Sequence, residues 1–266
     1  MDHCPIKQFR GTTLIDYPGK VASIIFTGGC NFRCRYCHNR ALLDSEALEN
    51  LDTEKVLRSL ANRRGFIEGV VITGGEPTIH HGIIELISRI KRLGLAVKLD
   101  TNGTHPEILE WLIEEKLIDY IAMDYKAPLH RYEIVTDAPG LEDRVRASAS
   151  LIIKTAERYE FRTTIHPMLH TADDIDNIAI ELKGATAYYL QQYYPFDSID
   201  KTLLEAVPYP PEFFHAAIAR NKHHFSVIAV RNLLEPSKTY LPPTTPESVY
   251  AADILPETLR VDYKAF

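Results

Sequence analysis

Three cysteines lie within eight residues of one another, at Cys30, Cys34 and Cys37. Their spacing, C-x-x-x-C-x-x-C, offers three thiolates with no fourth cysteine in register. Three clustered thiols cannot pair off among themselves, so a disulfide framework is not the natural interpretation. A [4Fe–4S] cluster held by three cysteines keeps one iron for another ligand. The run therefore predicts a catalytic iron–sulfur site with one iron reserved for a small molecule.

Two other interpretations of the cysteines stay open from the residues alone. His38 directly follows Cys37, and with the three cysteines it forms a nominal Cys3His set for zinc. Structural zinc sites usually take their ligands from two separated pairs, so the cluster is favoured. Cys4 is isolated before the first predicted strand and could supply a fourth ligand, although we expect it to be a semi-exposed thiol.

Composition limits the class of protein. The chain has 266 residues, 45% of them hydrophobic, which suits one large domain of the size of α/β barrels. The net charge is −6 and the basic residues are scattered, so we expect no nucleic-acid partner. No apolar stretch approaches the length of a membrane span, and the first residues lack the pattern of an export signal. With its free thiols, the chain is expected in a reducing cytoplasm.

Short β-branched runs alternate with helical patterns along the chain, which indicates parallel βαβ units. The predicted strands are residues 21–27, 69–73, 96–99, 120–124, 161–166, 187–192 and 225–230. The predicted helices are residues 53–62, 82–93, 106–116, 142–159, 172–182 and 211–221, with N-caps at Asp52 or Thr53 and at Thr171. Repeated right-handed crossovers of this kind close toward a barrel. We predict an α/β fold, a partial (β/α)6 TIM-like barrel formed by residues 1–232, with a Pro-rich extension, residues 233–266, packed on it.

Polar residues repeatedly follow the predicted strands. After the Cys loop come residues 74–77, 100–103 and 124–126, then residues 162–167 and the pair Gln191 and Gln192. In β/α barrels the active site is built at the carboxyl ends of the strands. We therefore expect these residues to share one rim.

Each of these groups has a chemical and a structural interpretation. The glycines Gly74 and Gly75 allow close backbone approach to a ligand, and the carboxylate of Glu76 suits an ammonium group, although such turns are often plain connections. Asp100 begins a segment that also reads as an Asx-type turn. Asp124 and Lys126 share one face of an extended segment, and a surface ion pair is the simpler interpretation. The histidines at positions 80, 81, 166 and 170 are expected in loops or at helix caps.

With these motifs assembled, the chain resembles the radical S-adenosylmethionine (SAM) superfamily. It is most similar to glycyl-radical-enzyme activating proteins, of the type that activates anaerobic ribonucleoside-triphosphate reductase. The residues that carry the resemblance lie at 12–20, with D-Y-P-G, at 29–39, with the cysteines and C-H-N, and at 73–78, 99–103 and 123–128. The fold that this resemblance implies is the partial barrel of radical SAM enzymes.

The resemblance also implies cofactors, partners and roles. Three irons of a [4Fe–4S] cluster bind the cysteines, SAM chelates the fourth, and one electron from a flavodoxin or ferredoxin cleaves SAM to methionine and a 5′-deoxyadenosyl radical. That radical takes a hydrogen atom from a glycine of the partner, a glycyl radical enzyme. The residues implied at the site are Cys30, Cys34, Cys37 and Lys126 as catalytic, and Tyr36, Asn39, Gly74, Gly75, Glu76, Asp100, Thr101, Asp124, Lys126, Arg162 and Gln191 as cofactor-binding.

Within this set the resemblance assigns individual roles. Glu76 takes the amino group of SAM, and Tyr36 lies beside its adenine. Asp100, Thr101 and Asp124 match positions that help to hold a monovalent cation next to the SAM carboxylate. The basic residues Lys126 and Arg162 lie near the SAM carboxylate and ribose, and Gln191 or Gln192 supplies a polar group near SAM.

Two rival functions remain. One is a radical SAM enzyme that acts on a small molecule, such as a purine- or pterin-derived precursor. Tyr188, Tyr189, Tyr193 and Tyr194 could line its ligand pocket, although we expect two of the four to pack in the core. The other is a non-catalytic iron–sulfur or zinc module, which leaves Glu76, Asp100 and Lys126 unexplained. The Pro-rich extension is expected to cover part of the open side of the barrel or to help dock the partner.

Overall fold

The structure, a computed structural model, describes residues 4–195 and 198–233. Its strands form one eight-stranded sheet in the order β1 to β8. The strands are β1 (Ile6–Thr13), β2 (Ala22–Thr27), β3 (Gly69–Gly74), β4 (Ala96–Thr101), β5 (Tyr120–Asp124), β6 (Tyr159–Ile165), β7 (Ala187–Gln192) and β8 (Val227–Arg231). The first pair is antiparallel and the other six pairs are parallel. Within the described residues the sheet stays open, so the fold is a partial barrel.

Helices connect the parallel strands. They are α1 (Arg40–Leu43), α2 (Thr53–Asn62), α3 (Ile83–Arg92), α4 (Pro106–Glu114), α5 (Tyr132–Thr136), α6 (Glu142–Thr155), α7 (Ala172–Glu181) and α8 (Pro211–Asn221). The Asp52 side chain caps α2 by accepting from the amides of Glu54 and Lys55, and Thr171 caps α7 in a capping box with Asp174. These caps fix where the two helices begin.

The two faces of the sheet bury different residues. Strand residues such as Ile72 and Leu99 pack against the helices in the main core. On the inner face, Tyr17 and Ile24 belong to a smaller apolar cluster with Tyr120 and Ala122. Val71, Lys98 and Tyr120 lie opposite one another in register, so the inner face turns from apolar to charged as it reaches β4.

Most of the predicted fold is confirmed. All seven predicted strands are present, and the bounds of α2, β5, β7 and α8 are those predicted. The antiparallel strand β1 was missed because it is an edge strand in which only Ile6 and Thr13 are buried. The long helix predicted for residues 142–159 is wrong, since α6 ends at Thr155 and Tyr159 already begins β6.

Two further expectations concern the C-terminal extension and membrane-spanning segments. The extension at residues 233–266 lies outside the described residues apart from its first residue. The division of the chain at residue 232 therefore stays a prediction. None of the described helices is both long and apolar enough to cross a membrane.

Candidate active site

The three clustered cysteines lie on the loop that follows β2. The amide of Gly28 donates to the carbonyl of Pro5 (3.0 Å) and the amide of Gly29 to the carbonyl of Leu42 (2.7 Å), which anchors the start of the loop. The amide of Cys37 donates to the carbonyl of Cys34 (2.8 Å), so a tight turn brings these two residues together. The loop is therefore held by its backbone, and Cys30 Sγ accepts from the amide of Phe32 (3.4 Å).

The three thiols interact electrostatically, and the residue Cys34 is buried while Cys30 and Cys37 are partly buried. Burial and, after it, the charge of Glu76 raise the pKa of Cys30 to about 11. Burial raises the pKa of Cys34 to about 12, and the neighbouring thiols contribute to both increases. Lys126 lowers both pKa values, so its ammonium group lies near the loop. In the described part of the chain, no three His, Cys, Asp or Glu side chains are arranged to hold a metal ion. The thiolates of an iron–sulfur cluster, by contrast, each bind a different iron.

The turn after β3 packs directly on the Cys loop. A Cβ atom on Gly75 would lie 1.8 Å from the carbonyl oxygen of Gly29, and Gly74 has a φ of +123°. Both positions therefore require glycine. The amide of Glu76 donates to the same Gly29 carbonyl (2.8 Å), and the Asn39 side-chain amide donates to the carbonyl of Gly74 (3.5 Å). In the structure Gly75 approaches the Cys loop and Gly74 approaches Thr27 at the end of β2, and the close approach to a ligand stays a prediction.

Glu76 is 1% exposed and joins the ends of β3 and β4. Its Oε1 accepts from the amide of Thr78 (3.0 Å) and the hydroxyl of Thr101 (2.8 Å), and its Oε2 accepts from the amide of Asn102 (2.6 Å). Burial raises the pKa of this carboxyl, while these hydrogen bonds act to lower it. Its contact with the amino group of SAM stays a prediction.

Five charged side chains of β4, β5 and β6 and of the residues just after β5 form what we call the ionic row: Lys98, Asp100, Asp124, Lys126 and Arg162. Lys98 Nζ donates to Asp100, and Arg162 Nη1 lies 3.4 Å from Asp100 Oδ2. Arg162 Nε donates to Asp124 Oδ1 (2.8 Å) and Lys126 Nζ to Asp124 Oδ2 (3.0 Å). The structure thus brings four of the predicted site residues together and adds Lys98.

The ionic row is not a surface feature, contrary to the simpler interpretation of Asp124 and Lys126. The Lys126 side chain is 16% exposed and that of Arg162 is 13% exposed. Although burial acts to raise it, Arg162 and Lys126 lower the pKa of Asp124 to about 2. Two lysines and one arginine face two aspartates, so the row carries one positive charge in excess.

Lys126 is positioned by its backbone as well. Its amide donates to the Tyr132 hydroxyl (3.2 Å), and its carbonyl is 2.8 Å from Nε2 of His170. Because Nδ1 of His170 accepts from the amide of His166 (3.1 Å), Nε2 carries the proton and donates to Lys126. Burial lowers the pKa of His170 to about 4, which keeps the imidazole neutral. All four histidines predicted in loops or at caps do lie in loops.

Tyr36 is 5% exposed and packs beside His170, with ring centroids 6.2 Å apart. Burial raises the pKa of its hydroxyl. That hydroxyl has no hydrogen-bond partner among the described residues. The position of the Tyr36 ring beside the adenine of SAM stays a prediction. Of the four clustered tyrosines, Tyr188 and Tyr193 are fully buried, as expected for core residues.

Sequence reasoning missed a second charged set on the inner face, which we call the Glu160–Arg231 group: Tyr120, Glu160, Tyr189 and Arg231. Both guanidinium Nη atoms of Arg231 donate to Glu160 (2.8 Å each), and the Tyr120 hydroxyl also donates to it (2.8 Å). Arg231 lies 3.5 Å from the centre of the Tyr189 ring. Gln191 lies opposite Arg231 in register, at the end of β7.

The alternation of residues along the strands could have revealed the missed charges. In Val97-Lys98-Leu99-Asp100, the charged residues share one face and the apolar residues share the other. Glu160 was overlooked because it fell between the predicted helix, which ended at residue 159, and the predicted strand, which began at residue 161, whereas it lies within β6. Cys4 is another correction: it is 4% exposed rather than semi-exposed, and burial raises its pKa to about 12.

Comparison with known proteins identifies the family. The family model described as "Radical SAM superfamily" matches residues 24–182, which is more than half of the chain. The chain belongs to the radical SAM superfamily. The matched residues run from β2 to the end of α7, so they include the Cys loop and the ionic row of this radical SAM protein.

Several relatives are known by name. A protein of Methanocaldococcus jannaschii, provisionally named a glycyl-radical enzyme activating enzyme, is 37% identical over 203 residues, covering 74% of this chain and 83% of that protein. A Pyrococcus horikoshii protein, provisionally named GTP 3′,8-cyclase, is 33% identical over 138 residues, covering 50% of this chain and 44% of that protein. The 7-carboxy-7-deazaguanine synthase of Clostridium acetobutylicum is 33% identical over 111 residues, covering 41% of this chain and 49% of that protein. Only the first of these three matches spans most of both chains.

Solved structures share the fold. Streptococcus suis SuiB bound to its precursor peptide SuiA has a TM-score of 0.60 at 15% identity, over 79% of this chain and 48% of that chain. QueE from Escherichia coli has a TM-score of 0.50 at 19% identity, over 86% of this chain and 94% of that chain. At these identities the similarity shows the fold alone.

The superfamily implies a [4Fe–4S] cluster and SAM, and the residues of the site fit both. Cys30, Cys34 and Cys37 would hold the cluster, because their three thiols lie close enough together to interact electrostatically. The excess positive charge of the ionic row, beside those thiols, suits the carboxylate of SAM.

Proposed function

We propose that this radical SAM enzyme installs a glycyl radical on a partner enzyme of the anaerobic ribonucleotide reductase type. The observation that carries the proposal is the match to the provisionally named activating enzyme, since it extends over 74% of this chain and 83% of that protein. A bound cluster would supply the electron, taken from a flavodoxin or ferredoxin, that cleaves SAM to methionine and a 5′-deoxyadenosyl radical. That radical then takes one hydrogen atom from a glycine of the partner, which leaves 5′-deoxyadenosine and the glycyl radical.

The residues of the chain bind and orient the reactants. The Cys loop, on which the Gly-Gly turn packs, brings the thiols of Cys30 and Cys34 near Lys126. Lys126 and Arg162 give the positive charge that the SAM carboxylate needs, and Asp124 keeps both in place. His170 and Tyr132 hold the backbone of Lys126, so the charge is oriented before the ligand arrives.

An anaerobic reconstitution tests the proposal. The cluster-loaded protein is mixed with SAM, a reductant and a candidate anaerobic ribonucleotide reductase, and the mixture is examined by electron paramagnetic resonance (EPR). We expect a glycyl radical on the reductase and one 5′-deoxyadenosine per radical. The Cys34→Ala variant should form no radical, whereas Cys4→Ala, which changes the cysteine outside the loop, should keep the activity. SAM cleavage without a protein radical on any such partner would contradict the proposal.

A small-molecule substrate is the second candidate, favoured by the similarity to the deazaguanine synthase and to the provisionally named cyclase. Such an enzyme needs polar residues that are available to its substrate. The Glu160–Arg231 group supplies polar residues on the inner face, but these are bonded to one another. Cleavage of SAM that depends on an added purine nucleotide would favour this candidate over the first.

A further inference from the structure

Asp100 and Asp124, the two carboxylates expected to help hold a monovalent cation, are already paired with basic side chains of the protein. Lys98 donates to Asp100, Arg162 lies between Asp100 and Asp124, and Lys126 donates to Asp124. The third expected ligand, Thr101, donates its hydroxyl to Glu76 (2.8 Å) and accepts from the amide of Gly103 (3.1 Å). The residues therefore do not fit an additional metal cation as they stand.

Lys98 places a protein ammonium group where a metal cation was expected, beside Asp100. It precedes Asp100 by two residues on β4, so the two side chains point to the same face of the sheet. Its side chain is 3% exposed, and the contact with Asp100 compensates the cost of burying its charge. The Lys98 ammonium group therefore lies beside Asp100 and carries the same charge as a monovalent metal ion.

The charge of the ionic row points the same way. With two aspartates, two lysines and one arginine, its net charge is +1 before any ligand binds. A metal cation would raise the charge to +2 in a partly buried site, where like charges repel strongly. A ligand carboxylate would instead bring the charge of the row to zero.

We propose that Lys98 supplies, from within the chain, the positive charge that a monovalent metal ion would supply beside Asp100, so that SAM binding requires neither Na⁺ nor K⁺. The proposal rests on the proposed function only in taking SAM as the ligand. Lys98 is a positioning residue in this view, because it acts on SAM through Asp100 and Arg162.

The test measures SAM affinity by equilibrium dialysis with cluster-loaded protein, at constant ionic strength, in chloride salts of Na⁺, K⁺ or tetramethylammonium. The wild-type affinity should agree within about twofold among the three salts. In Lys98→Met the affinity should fall about tenfold or more in tetramethylammonium, the size expected for one charged contact. Na⁺ or K⁺ should restore it. Lys98→Arg, which keeps the charge, should bind SAM without Na⁺ or K⁺, and Lys154→Met, on the exposed side of α6, should match the wild type.

A second readout does not involve SAM. ²³Na relaxation of the apoprotein should show no saturable Na⁺ site in the wild type and one in Lys98→Met. Wild-type SAM binding that needs Na⁺ or K⁺ would overturn this inference by itself, even if Lys98→Met did not fold. A Lys98→Met variant that binds SAM equally in all three salts would also overturn it. A wild-type protein that binds SAM in none of the salts would contradict the proposed function instead.

Discussion

Two charged groups on the inner face of the sheet differ in how their charges balance. The ionic row of β4 to β6 has one positive charge in excess, and its Lys126 lies near the thiols of Cys30 and Cys34. In the Glu160–Arg231 group one carboxylate meets one guanidinium in a bidentate pair, so the group is neutral. The difference indicates that the row is prepared for an anionic ligand, whereas the second group holds β5, β6 and β8 together.

The largest expected effect is on SAM affinity, and it distinguishes Arg162 from Arg231. Arg162→Gln removes the guanidinium between Asp100 and Asp124, and SAM affinity should fall by about a hundredfold, the upper end for one charged contact. Arg231→Gln should change SAM affinity by less than about threefold, because Arg231 is bound to Glu160. Equilibrium binding of SAM to both cluster-loaded variants checks this. Equal losses in the two variants would remove the distinction.

The free energy of unfolding should depend on the Glu160–Arg231 group. Glu160→Gln leaves Arg231 without its carboxylate and weakens the bond from Tyr120, so the free energy of unfolding should fall by about 3 kcal/mol. Urea denaturation of the apoprotein measures this loss, with Glu157→Gln on the loop before β6 as the control. A variant as stable as the wild type would mean that the pair does not hold the strands.

The pH dependence of the free energy of unfolding should reveal the contribution of His170, which donates to the carbonyl of Lys126. His170 is neutral in the folded protein with a pKa of about 4, below the ordinary value of 6.5. Above pH 6.5 the imidazole is neutral in both states. As the pH falls toward 4, only the unfolded chain takes up the proton, so the folded state loses about 2 kcal/mol between pH 6.5 and 5.

Urea denaturation at several pH values tests this sign. His170→Asn should lose that part of the pH dependence, whereas His223→Asn, an exposed change, should keep it. The comparison is sharpened if SAM affinity also falls in His170→Asn, because the residue would then orient the ionic row and not only stabilise the fold. An unchanged pH profile in His170→Asn would contradict the assigned neutral imidazole.

The smallest effect concerns two tyrosines that pack together, with ring centroids 6.1 Å apart. The Tyr17 hydroxyl is buried and has no hydrogen-bond partner among the described residues, whereas the Tyr120 hydroxyl donates to Glu160. Tyr17→Phe should therefore leave the free energy of unfolding unchanged within about 0.5 kcal/mol or raise it. Tyr120→Phe should lower it by about 1 kcal/mol. The reverse order in thermal or urea unfolding would show that Tyr17 makes the stronger contact.

The sequence predicted most of the fold because buried parallel strands are continuous apolar runs, as in Gly69–Gly74 and Tyr120–Asp124. It failed at β1, where a sheet edge places few constraints on residue type. In the site, the cysteines and the Gly-Gly-Glu turn are local in sequence and were found.

The pairing within the site could not be found in the same way. Arg162 contacts Asp100 across 62 residues, and Arg231 contacts Glu160 across 71 residues. Such partners are chosen by strand order and register, which no local pattern specifies. Lys98 shows the one signal that was available, since its alternation with apolar neighbours already assigned it to the face of Asp100.

The central claim is that Cys30, Cys34 and Cys37 hold a cluster whose remaining iron is available to SAM. EPR of the reduced, reconstituted protein, recorded with and without SAM, tests it most directly. The account predicts the signal of a reduced [4Fe–4S] cluster whose g values shift when SAM is added, with the signal lost in Cys34→Ala and kept in Cys4→Ala. A wild-type protein that holds only zinc, or a cluster whose signal is indifferent to SAM, would contradict it.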